Sequence, residues 1–543
     1  MNRTSLSLLA AATALAAITG FAAMTAPAAG DTAAPGAAAR LPVERTTQLC
    51  PAPSVSEVAE TTYTSVTPTG KGGADREAAA EEGGSAELKK STVTLAASDG
   101  ADGDKKDTDK DSKGDKKDEK DEKDENKQDD AKQDEAKKNA AKEKPFVSLK
   151  EPGKPVTVEA GGADVPALVG VATGRFAPGW TTQQTTAVSV GDARGLLGMT
   201  CTAPDTDFWF PGASTERSRQ DYVHLTNPDD SVAVVDIELY GKDGVIKSEA
   251  GEGIPVPARS TVPVLLSTLT ADDAPSVTVH VTTRTGRVGA AVRAEDSAGG
   301  SDWLTAAADA GGRQIMPGIP ADATDVRLVA FATGGDDADL KVQLAGADGT
   351  ITPAGYETLH VKSKMTAALD LSDVTKGEAG ALIVGPADGS RAAPVVTALR
   401  VVRGKGDKRE IAFIPATGAI ASRATVADNR AKGSTLYLTA PGEAAKVRVT
   451  ASAGSGGGEA KTETYSVKAG TTLGVQPPVP AGLKGAYALT VEPESGGPVH
   501  AARMLSLPED GIEMFTVQTM PDDRGTVSVP KAREDLSILD DGK

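Results

Sequence analysis

Between Asp221 and Leu304 the chain reads DYVHLTNPDDSVAVVDIELYGKDGVIKSEAGEGIPVPARSTVPVLLSTLTADDAPSVTVHVTTRTGRVGAAVRAEDSAGGSDWL. Short runs alternate apolar and polar residues, and Asn-Pro, Asp-Gly, Pro-Ala and Thr-Gly pairs separate them. A period of two puts successive side chains on opposite faces of a strand. With turn signals at roughly 8–12-residue spacing, the pattern predicts an antiparallel β-sandwich.

The same order returns downstream. VRLVAFATGGDDADLKVQLAGADGTI starts at Val326, MTAALDLSDV at Met365, GALIVGPADG at Gly380 and APVVTALRVVRG at Ala393. A further copy runs through STLYLTAP, AKVRVTASAG, TETYSVKAGTTLGV, GAYALTVEPESGG and PVHAARML. Asp243-Gly244 and Asp348-Gly349 lie 105 residues apart, and Arg293, Arg400 and Arg503 are spaced by 107 and 103. Upstream, TTYTSVTP ends like LTNP and LTAP, and STVTLAASDG ends at Asp99-Gly100 like DIELYGKDG. Arg175 and Trp180 there echo Arg293 and Trp303. Internal self-similarity of this period marks a repeat architecture.

The expected fold is all-β, a tandem array of about four Ig-like antiparallel sandwich units of roughly 100 residues each. The units span 41–185, 186–307, 308–408 and 409–520, followed by a tail over 521–543. A string of units is favoured over a propeller-like ring, because each has enough strands for its own sandwich.

One segment breaks the pattern. From Ala101 to Lys144 there are 17 acidic and 14 basic residues among 44, with no large hydrophobe. Such a stretch cannot bury enough apolar surface to offset its ordering entropy, so a disordered loop is expected. It enters where the other copies make an Asp-Gly hairpin turn, and loop closure tolerates length there. Gly70 to Lys90 reads as a second insertion, a loop or a short helix.

The N-terminus, residues 1–40, holds Arg3, an apolar run from Leu6 to about Met24, and Ala26-Pro27-Ala28. This is the layout of an export signal, either cleaved or retained as a membrane anchor. Secretion to the cell envelope follows, with membrane contact only through that segment. The two cysteines, Cys50 and Cys201, are an even count in an exported chain and sit near a proline in two successive lead-in segments. A disulfide joining neighbouring units is expected. The net charge of −18 excludes a duplex nucleic-acid binder, which needs a basic stripe.

The order FWFPG, YVHLTNP, VVDIELYGKDG, VPARSTVPVLL, GRVGAAVR resembles a repeat of exported bacterial proteins. The whole chain looks like the actinobacterial DUF5719 family of exported proteins of unknown function. That resemblance implies compartment and fold, and no reaction or ligand.

No motif for catalysis stands out. The histidines His224, His280, His360 and His500 are scattered, without a second ligand at metal spacing. Asp107, Asp109 and Asp111 mimic a calcium loop, but position six is Ser112 and position twelve Asp118, where that loop needs Gly and Glu. There is no Gly-x-Ser-x-Gly, Ser-x-x-Lys with its companions, or His-Glu-x-x-His. No cofactor is expected. Trp180, Phe208, Trp209, Phe210 and Trp303 are read as fillers of the seams between units, or else as a stacking platform for sugar rings. Arg175, Arg293, Arg400 and Arg503 are read as junction residues bonding the next unit's backbone. The expected function is a non-enzymatic scaffold or protein-interaction array of the envelope. The rival is a glycan-binding array at the cell wall, so the partner is either an envelope protein or a wall glycan.

Overall fold

Two kinds of strand build the molecule, and their burial explains their composition. Ala338–Ala345 (ADLKVQLA) turns Ala338, Leu340, Val342 and Leu344 into a core while Asp339 stands in solvent. This is the period-two pattern of a sheet with one wet face. Val395–Arg403 (VVTALRVVR) is instead buried at every position but Arg400, because both of its faces are covered. These relations come from a computed structural model that describes residues 39–69, 83–93 and 144–529. The signal-like run, the calcium-like aspartates and nearly all of the charged insertion 101–144 lie outside the described residues.

Among the described residues the regular structure is strand, with three short 3-10 turns and no α-helix. The protein is all-β, and every four- or five-stranded sheet is antiparallel except for one added strand. Residues Pro42–Thr526 form one compact unit. At the two ends of the described residues, Ala39–Pro42 and Thr526–Val529 make a two-stranded sheet.

Within Pro42–Thr526 lie eight sheets of four or five strands, in four groups with one strand order. In the second group an outer sheet runs Asp207–Ala213, Val277–Thr285, Ala233–Gly241, Gly244–Ile246. Its inner sheet runs Gly300–Leu304, Gly289–Asp296, Arg219–Thr226, Ser260–Leu265. The chain visits the two sheets in the same alternation from Arg45 to Thr200, Gln314 to Pro415 and Ala424 to Thr519. Each group has an apolar core, such as the one centred on Val235, Leu239, Val279 and Val292.

The expectation of a string is corrected by the packing. The last strands of the four groups are Gly195–Thr200, Gly300–Leu304, Glu410–Pro415 and Phe515–Thr519. The first packs on the second and the fourth, and the third packs on the same two. The first strand of each later group lies on the inner sheet of the group that follows: Asp207–Ala213 on Val395–Arg403, Gln314–Ile319 on His500–Ser506, and Ala424–Asn429 on Thr181–Val188. The arrangement is therefore cyclic, with the last group returning to the first. Close approach is written into Gly198, where a Cβ would stand 2.4 Å from the Gln518 amide nitrogen and 2.5 Å from the Thr516 methyl group.

Two local readings also change. Ala86–Lys90, taken with the second insertion as loop or helix, is a strand pairing with Leu168–Thr173. It occupies the place given to STVTLAASDG, of which Thr92–Val93 pairs in parallel with Ser260–Thr261 of the second group. The charged segment does interrupt a hairpin, since Glu87 pairs with Ser148 across it.

Candidate functional site

The aromatic residues separate by their position on the strand. Phe208 and Phe210 point into the core of the second group, 6.4 Å apart, while Trp209 between them points the other way. There its ring lies on His280 at 3.6 Å and against Phe331 of the third group at 5.3 Å. Trp303 is 2 % exposed and fills the seam between the first two groups with Val188, Leu197, Met199 and Ala291. Trp180 is buried inside the first group, where its indole N–H donates to Ser65 Oγ at 2.8 Å. Its place is in the loop before Thr181–Val188, so it is not the counterpart of Trp303 in the last strand of its group.

Of the arginines read as junction residues, Arg175, Arg293 and Arg503 are placed within their own groups. Arg293 is buried above the Tyr222 ring and paired with Glu295 in its own strand. Arg503 is fully buried and donates to the Ala427 carbonyl of its own group at 3.1 Å. Burial lowers the pKa of Arg293, Arg400 and Arg503, the last to about 10. Arg175 is exposed in a 3-10 turn with its guanidinium over Phe176, and strand register puts Thr185 where the other groups carry arginine. Several of the arginines that cross between groups stand at strand ends or in loops, and Arg327, within Ala323–Ala332, donates to Ser276 Oγ of the second group at 3.1 Å. Arg194 donates to the Arg409 carbonyl at 2.7 Å. Arg219 lies over Phe413, Arg403 over Phe515, and Arg423 donates to the Pro178 carbonyl at 3.2 Å.

Where the four last strands meet, a polar centre replaces the apolar core. Asp302 is fully buried and accepts from the Gly198 N–H and from Thr516 Oγ1, each at 3.0 Å. Glu410 is also fully buried and accepts from the Leu196 N–H at 3.0 Å, with Arg194 at 3.7 Å. Burial drives both carboxyls toward the neutral form, Asp302 well above the carboxylate range and Glu410 up to about 8. Glu410 opens the strand EIAFIP directly after the charged turn Asp407-Lys408-Arg409, so the sequence did not mark it as buried.

At one end of these strands a cavity of about 880 Å³ opens. Gln48, Gln518, Trp180, Cys201 and Val517 are buried residues of its lining, and Thr46, Thr47, Thr200, Thr202, Thr305 and Thr519 add half-buried hydroxyl-bearing walls. Arg45, Arg287 and Arg524 stand exposed at its rim. The Cys50–Cys201 disulfide borders it, with Cα atoms 4.6 Å apart. Because Cys201 follows the last strand of the first group, the bond closes that group on itself instead of joining neighbours. Leu49 and Thr202 beside it exchange both backbone hydrogen bonds, at 2.8 and 3.0 Å.

Gln48 and Gln518 have an unusual deficit. Gln48 Nε2 donates to the Trp180 carbonyl, and Gln518 Nε2 donates to Thr516 Oγ1 at 2.7 Å. The side-chain oxygen of each is buried without any partner. Sequence reasoning singled out neither glutamine, since each sits in a strand among threonines without a motif. Of the histidines, His280 lies between Glu238 and Asp207 at 3.1 and 3.2 Å, and His360 is 2.7 Å from Asp339. Among the described residues no group of three or more ligands could hold a metal ion.

A family model described as a family of unknown function, DUF5719, matches residues 156–478. The match covers more than half of the chain, and the chain belongs to that family. No curated protein and no solved structure matches it.

Proposed function

We propose that this family member is an exported, non-enzymatic protein of the cell envelope, a scaffold built from four Ig-like sandwich units. The observation that carries the reading is the commitment of the large side chains to packing. Trp209 and Trp303 occupy seams between groups, Trp180, Phe208 and Phe210 occupy cores, and Arg219 and Arg403 lie over aromatic rings of the next group. A body closed in this manner resists deformation, which suits a framework presenting its sheet edges to an envelope protein. Export is supported by the disulfide, which persists in oxidising compartments, and by the signal-like N-terminal sequence. No described helix is long and apolar enough to cross a membrane.

Sugar stacking on exposed aromatics is the weaker reading, because Trp180, Trp303, Phe208 and Phe210 are each at most 6 % exposed. Cross-linking of intact cells, followed by isolation of this chain, tests the scaffold. The expected result is one envelope protein recovered in near-equal amount. Recovery of the chain alone, or turnover of wall peptide or glycan by the purified protein, would overturn it.

A further inference from the structure

The inner sheet of each group ends in an edge strand, and in three groups the preceding group covers that edge. On Ser260–Leu265 of the second group, Thr92–Val93 of the first adds as a parallel strand, and Ser91 Oγ donates to the Arg259 carbonyl at 2.6 Å. On Thr366–Asp370 of the third, Thr366 Oγ1 donates to the Tyr240 carbonyl of the second at 2.7 Å. On Thr471–Val475 of the fourth, the Thr472 N–H donates to the Gly346 carbonyl of the third at 2.8 Å. In each case the covering residues lie at or just beyond the end of the same outer-sheet strand, Ala86–Lys90, Ala233–Gly241 or Ala338–Ala345.

The junction from the fourth group to the first is different. There the corresponding strand is Ala445–Ala451, and the chain beyond it turns back on its own group. The N–H groups of Ser455 and Gly456 donate to the Ala486 and Lys484 carbonyls, and Gly457–Glu459 pairs with Ala481–Lys484. Among the described residues no hydrogen bond joins this ribbon to Val156–Gly161, the edge strand of the first group. A cleft of about 580 Å³ lies between them, with Thr157 and Glu159 on one wall and Ser455, Leu483 and Gly485 on the other. The edge can be reached, since Glu159 and Gly161 are exposed and Thr157 is half-buried. The Gly162 N–H donates to the Ala59 carbonyl at 2.9 Å. By the alternation of an antiparallel pair, the N–H and C=O groups of Thr157, Glu159 and Gly161 therefore turn outward. An unpaired row of this kind is a template for another strand.

We propose that this cleft takes an extended peptide segment of a partner protein, uncharged and β-branched like Ser91-Thr92-Val93, which adds as an edge strand to Val156–Gly161. The occupant follows from the body itself, whose second group holds such a segment at the corresponding edge. Main-chain hydrogen bonds then supply the affinity. This edge deepens the scaffold reading, on which the choice of an envelope protein as partner rests.

Fluorescence anisotropy of the labelled peptide KKSTVTLAA, residues 89–97, titrated with the full chain tests it. Saturation is expected below about 1 mM. Thr157→Pro removes one outward N–H from the first group's edge and leaves the edge of the second untouched. It should weaken binding about fivefold, as the loss of one backbone hydrogen bond implies. Ala431→Trp, an exposed change in the lining of the cleft, should obstruct the peptide without altering the strand, so a folding defect in the proline variant does not decide the outcome. A peptide carrying both Thr92→Pro and Val93→Pro should not bind. No saturation, equal affinity for the double-proline peptide, or indifference to either variant of the chain would each overturn the proposal. So would a full-length dimer that the peptide dissociates, because a second copy would then own the edge. Recovery of an envelope partner from cross-linked cells does not depend on these outcomes, so the edge and the scaffold fail separately.

Discussion

Glu410 shows how one residue can set a pH response. Burial raises its carboxyl from an ordinary 4.5 to about 8, beyond what the Leu196 N–H and Arg194 offset. The folded chain therefore holds a proton there that the unfolded chain releases above about pH 4.5. A raised acid pKa means that stability is greatest below the unfolded value and falls as pH climbs toward 8. Glu410→Gln keeps an acceptor for Leu196 and removes the titration. Denaturant unfolding at pH 5 and pH 8.5 should show the variant gaining on the parent at the higher pH, by a few kcal/mol in order of magnitude. Equal differences at both pH values would mean that Glu410 is not the titrating group. The comparison with the parent cancels His224 and His500, whose lowered pKa values act in the opposite direction below the ordinary histidine range.

Strands and hairpins carry the next level. Glu87 and Ser148 pair although the charged segment lies between them, so the hairpin is held by the sheet and not by its turn. Replacing residues 94–143 with a flexible linker of about a dozen residues shortens a loop whose closure entropy grows only logarithmically. Thermal unfolding should shift upward or stay within about 1 kcal/mol of the parent. A clear loss of stability would show that the segment packs on the body. The parallel pairing of Thr92–Val93 with Ser260–Thr261 survives this design and ties the first group to the second. Register was legible here where one face meets solvent, as in Ala338–Ala345. It was less so in the first group, because AELKK carries too few apolar residues to announce a strand. Its place comes from Leu168–Thr173, which supplies the hydrogen bonds.

At the level of the whole body, Pro42–Thr526, closure makes every group depend on two others. Phe515–Thr519 and Ala424–Asn429 cover strands of the first group. A chain ending at Gly418 should therefore lose exchange protection of the Gly195–Thr200 amides, more than 200 residues from the cut. Hydrogen exchange read at those amides decides the matter, since independent units on a string would keep their protection. The disulfide acts at the same level, closing a separation of 151 residues and bordering the cavity.

All-β structure, the repeat of about 100 residues, the paired cysteines and the place of the charged insertion could be read along the chain. They rest on local periodicity, turn residues and composition, which each segment carries alone. The cyclic order, the identity of the residues that cross between groups and the polar cavity could not. Trp180 and Trp303 have the same chemistry, yet one fills a core and the other a seam, because that depends on which sheet arrives opposite. Gln48 and Gln518 lie 470 residues apart and become walls of one cavity only when the fourth group returns to the first.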